Sequence, residues 1–470
     1  MTDDLRFGTG IGSRRQSARG LVQSKTLARS SGARWIPDCI GAQWLSITLA
    51  TLVVTVLCPT SAYSETLLLT GATVHTVSGD TIENGQVLIR DGRISAVGRS
   101  VSAPDAKTVG LEGLHLYPGM IALNTDLGLV EINAVRSTVD VSESGDYTPD
   151  VFSWHAVNPD SELLPVARAN GVLHFEPVPS GAVVAGQSGL LALDGWTTEQ
   201  MVMRKSVALH VHWPSAGLDT TPKEKSRNPA KWKSLEDQDK ERREKLRELE
   251  NFLVEARAYA KAREGAKDFK IVPAWEAMLP VVRGEIPVTI HADDVRQIRA
   301  AVSWATTNNV KMILVGGLDA WRVADLLATN RVPVIFSHVF TQPQRDTDGY
   351  AANFSAPGVL SRAGVKVAFT GGGASLVKNL PYVAAHAAAF GLPADEALKG
   401  ITLYPAQIAG VSGQLGSIET GKDATMFAAD GDILDIRSNG KRMWIAGREV
   451  SLENRHTRLH GKYRNRPKSP

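Results

Sequence analysis

Cysteine is scarce: there are two in 470 residues, Cys39 and Cys58, both before position 60. Cysteine nucleophiles, Cys-based zinc sites and disulfides are therefore excluded from everything downstream. Membrane-length apolar runs are missing too. The run WLSITLATLVVTVLC, Trp44 to Cys58, is 15 residues, where ~20 are needed to cross a bilayer. Nor is there a useful charge excess. The formal net charge is +3, but seven of the 52 basic and three of the 49 acidic residues precede Glu65. The chain from Glu65 onward is close to neutral, and with 21% charged residues neither a disordered chain nor a nucleic-acid binder is suggested.

The N-terminus reads as a leader. Residues 1–34 are rich in Ser, Gly and Arg without apolar periodicity, and the short apolar run is followed by PTSAYSE. A basic stretch, an apolar core and small residues at Ala62 and Ser64 form a secretory signal peptide. The expected product is exported to the periplasm, with 1–64 removed and no mature membrane span. A single-span anchor is the alternative; lipidation of Cys58 is disfavoured by the bulk of Leu57.

With 43% hydrophobic residues, the remainder can bury a large core. From Thr66 to Tyr117, short alternating strands with Asp91-Gly92 as a hairpin signal predict a small β-domain. GSIETGKDATMFAADGD and KRMWIAGREV, between Gly416 and Val450, have the same character. Between these segments, GVLHFEPVP, IPVTIHAD, VKMILVGG, RVPVIFS and VKVAFTGG alternate with helical patterns, which argues for a parallel sheet with crossover helices. The expected fold is α/β: a (β/α)8 barrel over 119–415, beside a β-sandwich built from 65–118 and 416–450. The segment 221–268 reads as a charged helical insertion whose face Leu246, Leu249, Phe252, Leu253 and Ala256 packs. Residues 451–470 read as a loose basic tail.

LLLTGATVHTVSGDTIENGQVLIRDGRISAVG near the start and NLPYVAAHAAAFGLPADEALKGITLYPAQIAGVSGQLGSIETGKDA near the end resemble the amidohydrolase superfamily, in particular its exported, imidazolonepropionase-related group. The resemblance implies one or two divalent metals at the barrel mouth. The ligands would be a His-x-His pair on strand 1, a His on strands 5 and 6, and an Asp on strand 8. Such a metal brings a bound water toward a neutral pKa, and the Asp handles its proton.

Here most of those positions are replaced. The His-x-His pair falls on Asn124 and Asp126, which should share a face by the period of a strand. Strand 5 keeps His291, strand 6 offers Gly316 and strand 8 offers Gly372. Substitutes are within reach: His338, in VIFSHVF after strand 7, should lie near the mouth with His291, Asp126 and Asp293 or Asp294. The candidate catalytic residues are His291 and Asp126, and the candidate metal set is His291, Asp126 and His338. Asn124 and Asp294 are candidate substrate contacts, although Asp293 or Asp294 can simply cap a helix. His210-x-His212 has ligand spacing but lies next to the charged insertion, where a loop or packing role is expected. The loop Val178–Trp196 should border the mouth. TGGGASLVKNL, Thr370 to Leu380, is read as a tight turn rather than a phosphate cradle.

Two functions are compatible with these residues. One is a hydrolase of carbon–nitrogen, non-peptide bonds working through an atypical or degenerate metal site, with one zinc or manganese ion or none. The other is an inactive member that binds a small molecule or pairs with a homologous subunit, or with itself.

Overall fold

The computed structural model describes residues 65–265 and 269–467; the leader read from the sequence lies outside the described residues. Strands β1 (Leu67–Val74), β2 (Ile82–Arg90), β3 (Arg93–Gly98), β4 (Lys107–Gly110) and β5 (His115–Pro118) come first. β2 and β3 meet at Asp91 and Gly92, whose φ of +50° and +75° are the paired left-handed residues of a tight hairpin. β1 changes partner along its length. Leu67–Thr70 pair in parallel with β4, and Thr73–Val74 with β5.

The central strands are β6 (Met120–Thr125), β7 (Val172–Pro177), β8 (Val184–Gln187), β9 (Leu190–Ala192), β10 (Val202–Arg204), β11 (Leu209–His212), β12 (Val288–Ala292), β13 (Met312–Gly316), β14 (Val334–Phe336) and β15 (Val367–Phe369). β11 to β15 lie side by side and parallel, with β8 antiparallel on the β11 edge. β6 and β7 are parallel in a second sheet that β9 and β10 extend. Both faces of the parallel strands are buried, which explains their continuous apolar runs. Ile121, Leu123, Ile313, Val315, Ile335 and Ala368 form one cluster, while Met120, Ala122, Leu314, Phe336 and Phe369 join another.

The fold is α/β as expected, but the hydrogen-bonded ladder does not close into a (β/α)8 barrel. β14 and β15 are only three residues long. β6 sends its Ile121 amide to the Ile401 carbonyl (2.9 Å). It meets the β15 end only through single bonds such as Thr370 Oγ1 to the Asn124 carbonyl (2.8 Å). On the other side, antiparallel β8 and β9 stand between β7 and β11.

After the central region the chain returns as β16 (Met426–Ala429), β17 (Gly440–Ile445) and β18 (Arg448–Glu449), with β16 antiparallel to β5. The end segments expected to build a β-sandwich join in one eight-stranded sheet, continuous because β1 bonds to β2, β4 and β5. It closes over Leu69, Val74, Ile89, Leu116, Met426 and Trp444. The insertion forms helix Leu235–Gly265, with Leu249, Leu253 and Ala256 buried. The tail is not loose as expected: Asn454 caps helix Arg455–Arg464 through a capping box, and Arg458 bonds Glu162 at 2.7 Å. Among the described residues, no helix is long and apolar enough to cross a membrane.

Candidate functional site

β7, β11 and β12 each place polar groups where their neighbours are apolar. In β7, His174 and Glu176 are spaced by two and both are buried. In β11, His210 and His212 have the same spacing, and register pairs His212 with His291 of β12. His210 Nδ1 lies 3.0 Å from His291 Nε2, and its Nε2 lies 3.7 Å from Glu176 Oε1. His212 stacks on His291 with ring centroids 4.2 Å apart. Glu176 is held in turn: Oε2 accepts from the Asn124 amide (3.1 Å) and Oε1 from Ser188 Oγ (2.6 Å).

Burial keeps the His174, His212 and His291 imidazoles neutral. His291 is pushed well below the ordinary histidine pKa by desolvation first and by His212 and His210 second. Desolvation lowers His174 to about 4, and desolvation with the His210 neighbour does the same for His212. The Pro179 carbonyl accepts from the His212 ring, so the loop after β7 does border this cluster.

The expected set divides differently. Asn124 takes φ +52°, which breaks the strand alternation expected to put Asn124 and Asp126 on one face. Asp126 sits past the end of β6, its carbonyl accepting from the Leu129 amide (2.9 Å) and its carboxylate from Ala374. Burial raises the Asp126 pKa. Asn124 Oδ1 and Asp126 Oδ1 are buried without a hydrogen-bond partner. His338 does not join His291: its Nε2 pairs with Asp293 Oδ1 (2.7 Å) and its Nδ1 faces Thr341 Oγ1 (3.1 Å). Asp294 caps helix Val295–Thr307, Oδ1 accepting from the Arg296 amide at 2.8 Å. Gly316 and Gly372 both have positive φ, +92° and +76°.

A catalytic zinc takes three protein ligands with a water. Among the described residues, no group of three or more His, Cys, Asp or Glu is placed to hold a metal ion. The His210–His291 pair offers two converging nitrogens; Glu176 lies on the opposite edge of the His210 ring. The residues present do not fit the expected metal set.

Sequence reasoning misses Glu176 and His174 and sets His210 and His212 apart from His291. The signal is there: HFE and HVH put polar residues two apart inside apolar strands.

Residues 347–452 match the sequence model of the Amidohydrolase family. The structure resembles an amidohydrolase from Thermotoga maritima MSB8 with a TM-score of 0.71 at 24% identity, over 82% of this chain and 99% of that one. It also resembles a prolidase solved with N-methylphosphonate-L-proline, with a TM-score of 0.51 at 17% identity, again over 82% and 99%. A dihydroorotase of Caldanaerobacter subterraneus subsp. tengcongensis is 28% identical over 117 residues. That match spans 23% of this chain and 26% of the dihydroorotase. The fold is thus similar to that of the Thermotoga maritima amidohydrolase, and residues 347–452 carry the sequence pattern of the Amidohydrolase family.

Proposed function

We propose that the protein is a hydrolase of carbon–nitrogen bonds other than ordinary peptide bonds. In this reading it works from a (β/α)8 barrel whose ladder is interrupted beside β15 and β8. The observation that carries the proposal is the buried His210–His291 contact at 3.0 Å with the Glu176 carboxylate 3.7 Å from the far nitrogen of His210. A neutral His291 takes a proton from water on its Nδ1, while Nε2–H donates to His210 Nδ1 and His210 Nε2–H turns toward Glu176. The carboxylate offsets the charge that develops. The unpaired Asn124 Oδ1 accepts from an N–H group of the substrate. Asp126, whose pKa burial raises, gives its proton to the leaving nitrogen, and the proton held by His291 returns to it through solvent to close the cycle. No step here runs through zinc or manganese.

The test is hydrolysis of an amide and cyclic-amide panel by the purified protein, dialysed with and without zinc and manganese. Turnover that His291→Ala abolishes and metal leaves unchanged supports the reading. Turnover that appears only with about one bound equivalent of metal overturns the metal-free route.

Gly316 and Gly372 favour a second reading, since glycine can neither ligate a metal nor carry a proton through a side chain. The protein is then an exported small-molecule binder, or the partner of a homologous subunit or of a second copy. Ligand binding or assembly without turnover on any substrate distinguishes it.

A further inference from the structure

The N-terminal ends of the parallel strands, away from the ends that carry His212 and His291, form a floor edged with cations. Arg283, Lys311, Arg331 and Lys366 precede β12, β13, β14 and β15 in turn, and Arg204 ends β10. Arg204, Arg283, Lys311 and Arg331 border a groove of about 1030 Å³, and Arg331 and Lys366 border a second cavity of about 290 Å³. The two share Arg331, Pro333 and Gln407, so they are continuous. Glu285 is the one carboxylate among their lining residues. Arg204 donates to the carbonyls of Ser206, Ala409 and Gly410, and Lys311 to that of Gly284. Arg283, Arg331 and Lys366 are exposed, and among the described residues their side chains have neither a hydrogen-bond nor an ion-pair partner. Elsewhere arginines find carboxylates, as Arg296 does in Asp294 and Arg442 in Glu449.

Arg331 also holds a conformation that its side chain disfavours. Four successive helices end on this floor: Pro273–Val282, Val295–Thr307, Ala324–Thr329 and Ala352–Arg362. The residue after each C-cap is left-handed: Gly284 (φ +70°), Asn309 (+49°), Arg331 (+53°) and Gly364 (+86°). Glycine and asparagine are the ordinary choices there. Arg331 departs from them, against the preference of its own backbone, at the point where the two cavities meet. Gln407 stands on the same shared wall, and its Oε1 is buried without a hydrogen-bond partner.

We propose that this floor binds a small organic polyanion, with at least two phosphate or carboxylate charges and a hydroxyl or N–H group. The Arg331 guanidinium takes one anionic group as a planar fork, and Arg283 and Lys366 take the others. Arg204 and Lys311 keep their carbonyl bonds and add their charge to the field that gathers anions in the groove. The ligand's hydroxyl or N–H donates to Gln407 Oε1, which satisfies that buried acceptor. A small molecule is favoured over an extended anionic surface because the charges border recessed space of the size of a ligand pocket.

The site is independent of the proposed hydrolysis. Its test is calorimetric titration of the full chain with citrate and with fructose bisphosphate at pH 7.5 in low salt. One equivalent of at least one of them is expected to bind with submillimolar affinity and to be released by added salt. Preference between the two separates a carboxylate ligand from a phosphate one. Arg331→Asn removes the charge yet suits the left-handed turn, so it should bind about tenfold more weakly while melting no lower than the wild type. Lys366→Gln should weaken binding in the same direction. Failure of both anions to bind, or unchanged affinity in both variants, overturns the proposal. So does cosedimentation with phosphatidylglycerol vesicles without a response to either soluble anion, which would make the floor a membrane-facing surface.

Discussion

His291 has its nearest polar partner in His210, one strand away, rather than in the loop residues expected to share its cavity. The 3.0 Å contact joins neighbouring parallel strands, and Glu176 continues it to a third. The polar interior is thus a hydrogen-bonded histidine pair with one carboxylate 3.7 Å beyond it, and His210 Nε2 itself has no hydrogen-bond partner.

Removing that carboxylate should be expensive. Glu176→Ala leaves the Asn124 amide and the Ser188 hydroxyl without an acceptor. A loss of about 3 kcal/mol is expected, read as a lower urea midpoint. Glu176→Gln should retain more than half of that stability while lowering any hydrolytic rate.

The neutral imidazoles should make the fold acid-labile. His174 and His212 fall from the ordinary 6.5 to about 4 in the folded protein, and His291 moves the same way. The unfolded chain takes up protons near 6.5 that the native state refuses. Stability is therefore full above that value and lost as pH falls toward 4. Each of His174 and His212 contributes on the order of 3 kcal/mol across that window. Melting temperatures between pH 8 and 4.5 should show the fall, and His174→Leu should flatten it.

Restoring the missing strand-6 histidine should fail. Gly316 has φ +92°, and a Cβ there would lie well inside van der Waals contact of Asp293 Oδ1. Gly316→His is expected to cost about 2 kcal/mol or more through backbone strain and displacement of Asp293. Thermal unfolding of Gly316→Ala and Gly316→His checks this, and neither should gain metal affinity.

Arg345 latches the loop after β14 to Asp319. Asp319 is buried, and its carboxylate accepts both Arg345 nitrogens (2.6 and 2.7 Å) and the Val295 amide (3.1 Å). Arg345 in turn has its pKa raised, chiefly by that hydrogen bond. Arg345→Met should leave the core strands intact yet speed proteolysis between Phe340 and Tyr350. Asp319→Ala should cost about 1–3 kcal/mol, because it leaves the Val295 amide without its acceptor while the half-exposed Arg345 turns to water.

Much of this arrangement is legible in the sequence. The runs around Phe175, Ile290, Leu314, Ile335 and Ala368 all form strands, because parallel strands buried on both faces need continuous apolar residues. Ladder closure is not legible: it turns on where the Ile121 amide finds its acceptor, a long-range choice that periodicity does not record. The candidate site is half visible. His291 falls on the strand its apolar neighbours predict, but its partner depends on register between β11 and β12, which only the folded sheet fixes. Asn124 and Asp126 escape the sequence pattern for a local reason, since a left-handed residue at a strand end cancels the alternation on which their pairing rests.

The eight-stranded sheet also bears on how the protein is made. β5 completes its ladder with β16, about 300 residues further along the chain. Until that distant segment has emerged, the first five strands present an open edge of unpaired amides and carbonyls next to apolar side chains. Contacts of such long sequence separation form slowly. A nascent chain therefore stays vulnerable to aggregation until about its last 50 residues arrive, and truncation before Met426 should yield insoluble protein rather than a smaller domain.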